Sequence, residues 1–338
     1  DGTFELVDRA GNNRKKTGSY YTPASLIETL LDSTLDPVID DAQKRGELRA
    51  SEAGDPDPTE HIVDELLKLT VCDPACGSGH FLVAAARRIA KRVASVREKN
   101  PEPTVPAVRH ALHEVIARCV YGVDLNPMAV ELAKVSLWLE ALEPGKPLSF
   151  LDAHIKHGDG LIGATPALIN DGIPTKAFKS IEGDDPSYAR ALARRNDQER
   201  QEHQPDLVEL YAGRKMSNVA FAASLRRIAE APANSLRDVR RQAAAYREWE
   251  KSSEYVHAKH VADAWCAAFM WHKAKEAPPA VTHTIFRDIR DPGRGGALPE
   301  TQQEIVRLRE QFKFFHWHLE FPDIFTVSEG ESSDADPV

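Results

Sequence analysis

The sequence predicts an α/β fold with parallel strands, carrying a large inserted helical region. Three observations predict it. Leu66-Leu67-Lys68-Leu69-Thr70 approaches Val71-Cys72-Asp73 and then the turn Pro74-Ala75-Cys76-Gly77-Ser78-Gly79, and residues 82–90 follow with apolar side chains at helical spacing. A second strand signal, Cys119 to Asp124, runs into Pro127 and another apolar helix. From about Thr165 to Lys275 strand signals give way to helical spacing. Strand, helix and strand in alternation is the pattern of a parallel sheet covered by helices.

The turn after the first strand organises the rest. Gly77 and Gly79 can take positive φ and let a ligand approach the backbone. The first amides of the following helix point free N–H groups at it. This is where an α/β sheet binds a cofactor, at the carboxyl end of its first strand. A dinucleotide site would need a third glycine where Leu82 stands, and an acid about 20 residues on. A phosphate-binding G-x-x-x-x-G-K-[ST] loop is not present either.

What remains, Asp73-Pro74-Ala75-Cys76-Gly77-Ser78-Gly79, resembles motif I of the class I S-adenosylmethionine-dependent methyltransferases. It is similar in particular to the Asp-Pro-x-x-Gly-x-Gly form of the DNA adenine methyltransferases. The resemblance implies a Rossmann-like sheet and S-adenosylmethionine as cofactor, with S-adenosylhomocysteine as product.

Taken in order, residues 1–16 form a polar arm ending Arg14-Lys15-Lys16. Thr22 can cap a helix opened by Pro23, with Leu26, Ile27, Leu30, Leu31 and Leu35 on one side. That is the plain reading of Gly18-Ser19-Tyr20-Tyr21-Thr22-Pro23. The segment also resembles motif X, upstream of motif I as in the adenine methyltransferases of this arrangement. There it implies Tyr21, Thr22 and Pro23 at the methionine end of the cofactor, with Asp73, Ala75 and Gly77 beside it.

Residues 46–60 read as a charged loop and Pro101-Glu102-Pro103 as a helix break. Pro106 to Arg118 reads as a helix with Val108, Leu112, Val115 and Ile116 on one face. Asp124 ends the second strand. A carboxylate there can accept hydrogen bonds from both hydroxyls of a ribose, or it can cap the helix after it. The motif II resemblance places Asp124 with Leu125 at the ribose. Gly158-Asp159-Gly160-Leu161 can be an ordinary turn. In register after the other motifs it resembles motif III, which implies Asp159 with Gly160 at the adenine ring. His154 and His157 receive no chemical role.

Residues 166–298 read as a helical insertion rich in arginine, including Arg190, Arg194, Arg226, Arg227, Arg237, Arg240, Arg241 and Arg247. Such arginines read first as a solvated helix face, and second as a DNA-backbone contact. Residues 299–338 read as a return to the core followed by an acidic, disordered tail from Ser328. The aromatic run Phe312 to Phe325 is too dense to face solvent and reads as core. It also resembles the segment that precedes the catalytic motif in large methylases of type II restriction-modification and phage-defence systems. The expected domains are therefore 1–70, 71–165, 166–298 and 299–338.

The catalytic Asn/Asp-Pro-Pro-aromatic motif of that family is absent from the sequence: Asn126-Pro127-Met128 and Ala277-Pro278-Pro279-Ala280 both fail it. The expectation is the cofactor-binding, amino-terminal part of a DNA adenine-amine methyltransferase, inactive by itself. The remainder would lie downstream, be cleaved off or sit on a complementing chain, and double-stranded DNA would be met through the complete enzyme. The alternative is a non-catalytic S-adenosylmethionine-binding or scaffold module. An RNA or protein methyltransferase is a further reading.

Composition sets the remaining bounds. The 338 residues are 42% hydrophobic, which suits one large or two small cores, and the formal net charge is −9, which is unlike a tight phosphate binder. Four cysteines, with Cys72 and Cys76 flanking the turn, show no zinc spacing and fit a reducing cytoplasm. No metal, signal peptide or membrane partner is expected. The chain opens on Asp1, which implies a processed or cut amino terminus.

Overall fold

The parallel sheet has three strands, β1 (Val71–Asp73), β2 (Val120–Asp124) and β3 (Ile155–His157), in the order β1-β2-β3. The structure is a computed structural model that describes residues 22–147, 150–202, 217–231, 233 and 235–327. Tyr21, the arm 1–16, the tail from Ser328, and Leu207, Leu210 and Tyr211 of the insertion lie outside the described residues. The chain divides into two units, Asp1–Pro144 with Ile155–His157, and Gly145–His154 with Gly158–Val338. Most of the described chain is helical.

The first unit begins with α1 (Ala24–Ala53), a 30-residue helix containing Pro37. Its buried side is Ile27, Leu31, Leu35, Ile39, Ala42, Gly46 and Ala50, the spacing of one helical face. Two details differ from the sequence reading. Thr22 makes no cap bond, since Pro23 occupies the cap position. The helix also runs through the expected loop to Gly54, which closes it at φ +68°. Inside the helix, Gly46 leaves room for α2 (Thr59–Leu66), which passes directly over it. A Cβ there would lie 2.4 Å from Ile62 Cα.

Helix α3 (His80–Glu98) follows β1 and buries Leu82, Ala85, Ala86, Ile89, Ala90, Val93 and Ala94. Leu82 and Ile89 are fully buried, each stabilising by about 1.5–3 kcal/mol. Arg88 on α3 bridges Glu28, Asp32 and Asp36 of α1, and Arg92 meets Asp40 at 2.8 Å. Exposed ion pairs contribute little each, but this ladder fixes the register of the two helices.

Helix α4 (Val105–Arg118) starts at Thr104, whose side chain accepts the Ala107 amide. Central strand β2 is buried along Val120, Tyr121, Gly122 and Val123. Its register pairs Val71 with Val120 and Asp73 with Gly122 on one side, and Gly122 with Ile155 and Asp124 with His157 on the other. Helix α5 (Pro127–Glu140) begins with Pro127 in its first turn behind the cap residue Asn126.

The second unit is helical: α6 (Pro166–Asp171), α7 (Pro186–Glu202), α8 (Val219–Ala229), α9 (Leu236–Glu250), α10 (Ser253–Met270), α11 (His283–Arg290), α12 (Pro299–Phe312) and α13 (Trp317–Glu320). Helix α10 is its centre, apolar on all sides between Val261 and Ala268 except for Asp263. The aromatic run folds into this core, as expected: Phe314, Phe315, Leu319 and Phe321 are buried. Asn218 ties its end down, donating to the carbonyls of His318 and Phe325 and accepting the Val327 amide. Lys273 is fully buried and clasps Asp184 through its backbone N–H at 2.9 Å and its ammonium at 3.4 Å.

Candidate functional site

In the first unit the site is built where β1 and β2 end. Cys76 N–H donates to the Val123 carbonyl at 2.9 Å, which lays the glycine turn against the central strand. Asp73 turns the chain by accepting the Ala75 amide at 3.0 Å. Gly77 has φ +54° and open space where a Cβ would stand. Gly79 has φ +85° and packs against Ala133 of α5, 3.3 Å from an added Cβ. The first glycine therefore keeps the approach clear, and the second seats the turn on a helix. Gly79 is the cap of α3, whose first turn carries no acid, so no carboxylate of that turn competes for its free N–H groups.

The tip of β2 is bound to this turn. One oxygen of Asp124 accepts the Gly77 amide at 2.8 Å, and the other accepts the Asn126 amide at 2.8 Å. Asp124 is thus not the cap of α5. That role belongs to Asn126, whose side chain accepts the Met128 amide. Each carboxylate oxygen can accept more than one bond, so both keep capacity for hydroxyl donors.

Burial raises the pKa of Asp73, and nearby Asp124 adds to the rise against the Ala75 N–H. Burial, with Asp73 and Asp124 beside it, pushes the Cys76 thiol up to about 12. Among the described residues neither carboxylate has a cationic side-chain partner. Two half-buried acids without a counter-ion suit a ligand that carries positive charge.

Ala75 and Leu125 are exposed at this end of the sheet, and Leu125 is held by a residue that received no chemical role from the sequence. His157, opposite Asp124 in the register, bonds through Nε2 to the Leu125 carbonyl at 3.0 Å. Only the strand pairing brings the two together. Gly122 was missed for the same reason. A Cβ there would meet Leu82 Cδ1 at 2.9 Å and Cys76 Sγ at 3.0 Å. Thr22 and Pro23 are exposed just before α1.

In the second unit, Asp159 and Gly160 are held by the aromatic run. Asp159 N–H donates to the Lys313 carbonyl at 2.8 Å, and Trp317 Nε1–H donates to the Gly160 carbonyl at 3.0 Å. The Asp159 carboxylate accepts the Leu161 amide, and Leu161 projects into solvent at 92% exposure. Gly163 lies flat on Phe315, where a Cβ would fall 2.0 Å from the carbonyl oxygen. Behind it His316 accepts the Ala164 amide at Nδ1 and faces Asp263 through Nε2 at 3.0 Å, both side chains fully buried. These bonds make Nε2 the protonated nitrogen of His316.

The Eco57I restriction-modification methylase family model matches residues 118–335, from β2 through the aromatic run. The chain belongs to this family. A second model, the DNA-methyltransferase domain of MmeI, matches residues 50–146 of this chain and so includes the glycine turn and Asp124. Tyr21, Thr22 and Pro23 lie outside both matches. A protein of Methanocaldococcus jannaschii assigned as a type II restriction enzyme and methyltransferase is 28% identical over 184 residues, 46% of this chain and 15% of that protein. The adenine-specific methyltransferase PglX of Streptomyces coelicolor is 30% identical over 157 residues, 44% of this chain and 10% of PglX. The chain thus spans a small part of the length of these curated relatives. No solved structure matches it. Among the described residues no helix is long and apolar enough to cross a membrane.

Proposed function

We propose that this methylase chain is the S-adenosylmethionine-binding part of a DNA methyltransferase that modifies the exocyclic amine of adenine in restriction-modification or phage defence. The observation that carries the reading is the Gly77–Asp124 bond. It joins a glycine turn after β1 to an acid at the tip of β2, inside a family of methylases. The order of motifs supports a Rossmann-like sheet, and the expected divisions at 70, 165 and 298 remain part of the proposal.

The residues present fit the cofactor. The amides at the start of α3 and the open face of Gly77 would receive its carboxylate end, with Tyr21, Thr22, Pro23, Asp73 and Ala75 around it. Asp124 with Leu125 would take the ribose hydroxyls, and Asp159 with Gly160 the adenine. When bound, the cofactor supplies a methyl group already activated on a sulfonium. The protein's work is then mostly positioning. Asp73 and Asp124 offset the positive charge, and His157 holds the Leu125 backbone in place.

Holding a flipped adenine needs hydrogen-bond acceptors and a stacking ring. The tetrapeptide that supplies them in this family is not in the sequence, so the reading assigns them to further or complementing chain, and double-stranded DNA would be met through the complete enzyme. The PglX similarity favours adenine over other targets. A non-catalytic binding or scaffold module is the second reading, favoured by the missing tetrapeptide. A cytoplasmic setting fits a DNA substrate and four free cysteines.

Titration calorimetry of S-adenosylmethionine against the chain, with Asp124→Ala beside it, tests the proposal. Binding that the substitution weakens at least tenfold is the expected result, since it removes hydrogen bonds to a charged group of about 1.5–3 kcal/mol each. No binding by the folded chain would overturn it. Adenine methylation by the chain alone would refute the assignment of catalysis elsewhere. A co-purifying partner with an Asn-Pro-Pro-aromatic motif would separate the enzyme reading from the scaffold.

A further inference from the structure

We infer that the exposed face of α9 is a phosphate-contacting surface for duplex DNA, an inference that rests on the reading of the chain as a DNA methyltransferase. At 3.6 residues per turn, Arg237, Arg240, Arg241, Ala244, Arg247 and Lys251 fall on one side of this helix. Gln242, Tyr246 and Trp249 fall on the other and are buried. The four arginines are all exposed. Helix α8 adds Arg226 and Arg227 in its last turn, and α8 is fastened to α9 by Gln242, whose amide donates to the carbonyls of Ile228, Ala229 and Ala231.

Several other arginines of the molecule carry carboxylates: Arg87 with Glu140, Arg88 with three acids, Arg97 with Glu114, Arg307 with Glu304. Among the described residues Arg227, Arg237 and Arg240 have no carboxylate partner, and Arg241 reaches Asp238 only at 4.0 Å. Asp238 is itself occupied by the capping box with Ser235. A solvated helix face is normally laced with opposite charges four residues apart. Here only Glu248 interrupts the stripe, on a chain whose net charge is −9.

A stripe of this length covers about 20 Å, against a duplex that carries one charge per about 1.7 Å of axis. Ala244 at its centre lets the helix approach the backbone closely. Arginine, with its planar fork of donors, suits phosphate better than lysine does. Phosphate contacts of this kind position a protein on DNA and do not read sequence. The stripe therefore contributes affinity and orientation, and leaves site choice to other parts of the enzyme.

The test is fluorescence anisotropy of the full chain with a labelled duplex of arbitrary sequence, titrated across salt. Wild type should bind with a steep salt dependence. Replacing Arg237, Arg240, Arg241 and Arg247 together by Gln should lower affinity at least tenfold at low salt, and reduce the log–log salt slope by up to about 3.6. The quadruple Arg→Lys variant should keep most of the slope. Circular dichroism melts and S-adenosylmethionine calorimetry on the same proteins report folding and the cofactor site separately. Absence of duplex binding by wild type, or an unchanged slope in the Gln variant, overturns the inference. Equal loss in the Lys variant with a lowered melting temperature assigns the effect to folding and overturns it too. If cofactor binding persists in such a case, the stripe falls and the methyltransferase reading stands. If wild type binds DNA through the stripe but not the cofactor, it is the methyltransferase reading that fails.

Discussion

The carboxylate of Asp124 accepts the Gly77 amide at 2.8 Å across 47 residues of sequence. One side chain thereby sets the distance between the turn that would receive one end of a cofactor and the strand tip that would receive its ribose. Its second oxygen holds the Asn126 amide, so the same group also orients the start of α5.

Asp124→Asn is therefore not conservative. A carboxamide offers one acceptor oxygen and one NH2 donor, and the donor must face a backbone N–H on one side. We expect a loss of about 1–3 kcal/mol from the unsatisfied amide, read by urea unfolding of the chain without ligand. An unchanged midpoint would show that the bond does not form in solution.

The two glycines of the turn should respond differently to alanine. Both have positive φ, so each substitution costs about 1–2 kcal/mol from backbone strain. At Gly79 the new methyl also presses on Ala133, and stability should suffer more than ligand affinity. At Gly77 the methyl enters open space on the approach to the turn, and cofactor affinity should fall further than stability. Melting curves and calorimetry on both variants decide it. Equal effects on both quantities would contradict the assigned division of labour.

The local shape of these segments was legible in the sequence. The turn after β1, the acid ending β2 and the Gly-Asp-Gly after β3 are local patterns, and apolar spacing located the helices around them. The parts that were not readable depend on contacts between distant segments. Gly46 lies in a charged, loop-like stretch, yet it is helical, and its missing side chain makes room for Ile62. His157 matters through Leu125, and Gly160 through Trp317, pairs that only strand register or the return of the aromatic run brings together. Thr22 has the right chemistry for a cap but does not make the bond, which no local rule could decide.

Gly163 should be the least replaceable glycine among the described residues of the second unit. An added Cβ would lie 2.0 Å from the Phe315 carbonyl oxygen, and backbone cannot swing aside as a side chain can. Gly163→Ala should cost about 3 kcal/mol or more, as severe overpacking does. Two residues away, Leu161→Asn should change stability by under about 0.5 kcal/mol, because Leu161 is exposed and touches no core. Denaturant curves of the two variants give the contrast. Similar losses in both would mean that the 158–163 turn does not pack on Phe315 as described.

His318 gives the protein a pH dependence that can be isolated. Burial, reinforced by nearby His316, pushes its pKa down to about 3 from an ordinary 6.5. Above pH 6.5 the imidazole is neutral in both the folded and the unfolded chain, and it contributes no pH dependence. Below 6.5 the unfolded chain takes up a proton that the folded chain refuses. Stability must then fall as the pH drops toward 3, by up to about 1.4 kcal/mol per pH unit for this one group. His260, also lowered by burial, adds to the slope in the same window. Paired carboxylates act lower down: Glu65, held at about 2 chiefly by Lys68, loses its contribution only as the pH falls from 4.5 toward 2. The interval from pH 6.5 to 5 therefore belongs to the histidines. His318→Leu should reduce the slope of unfolding free energy there by about one proton. A slope unchanged by the substitution would show that His318 takes up its proton in the folded chain.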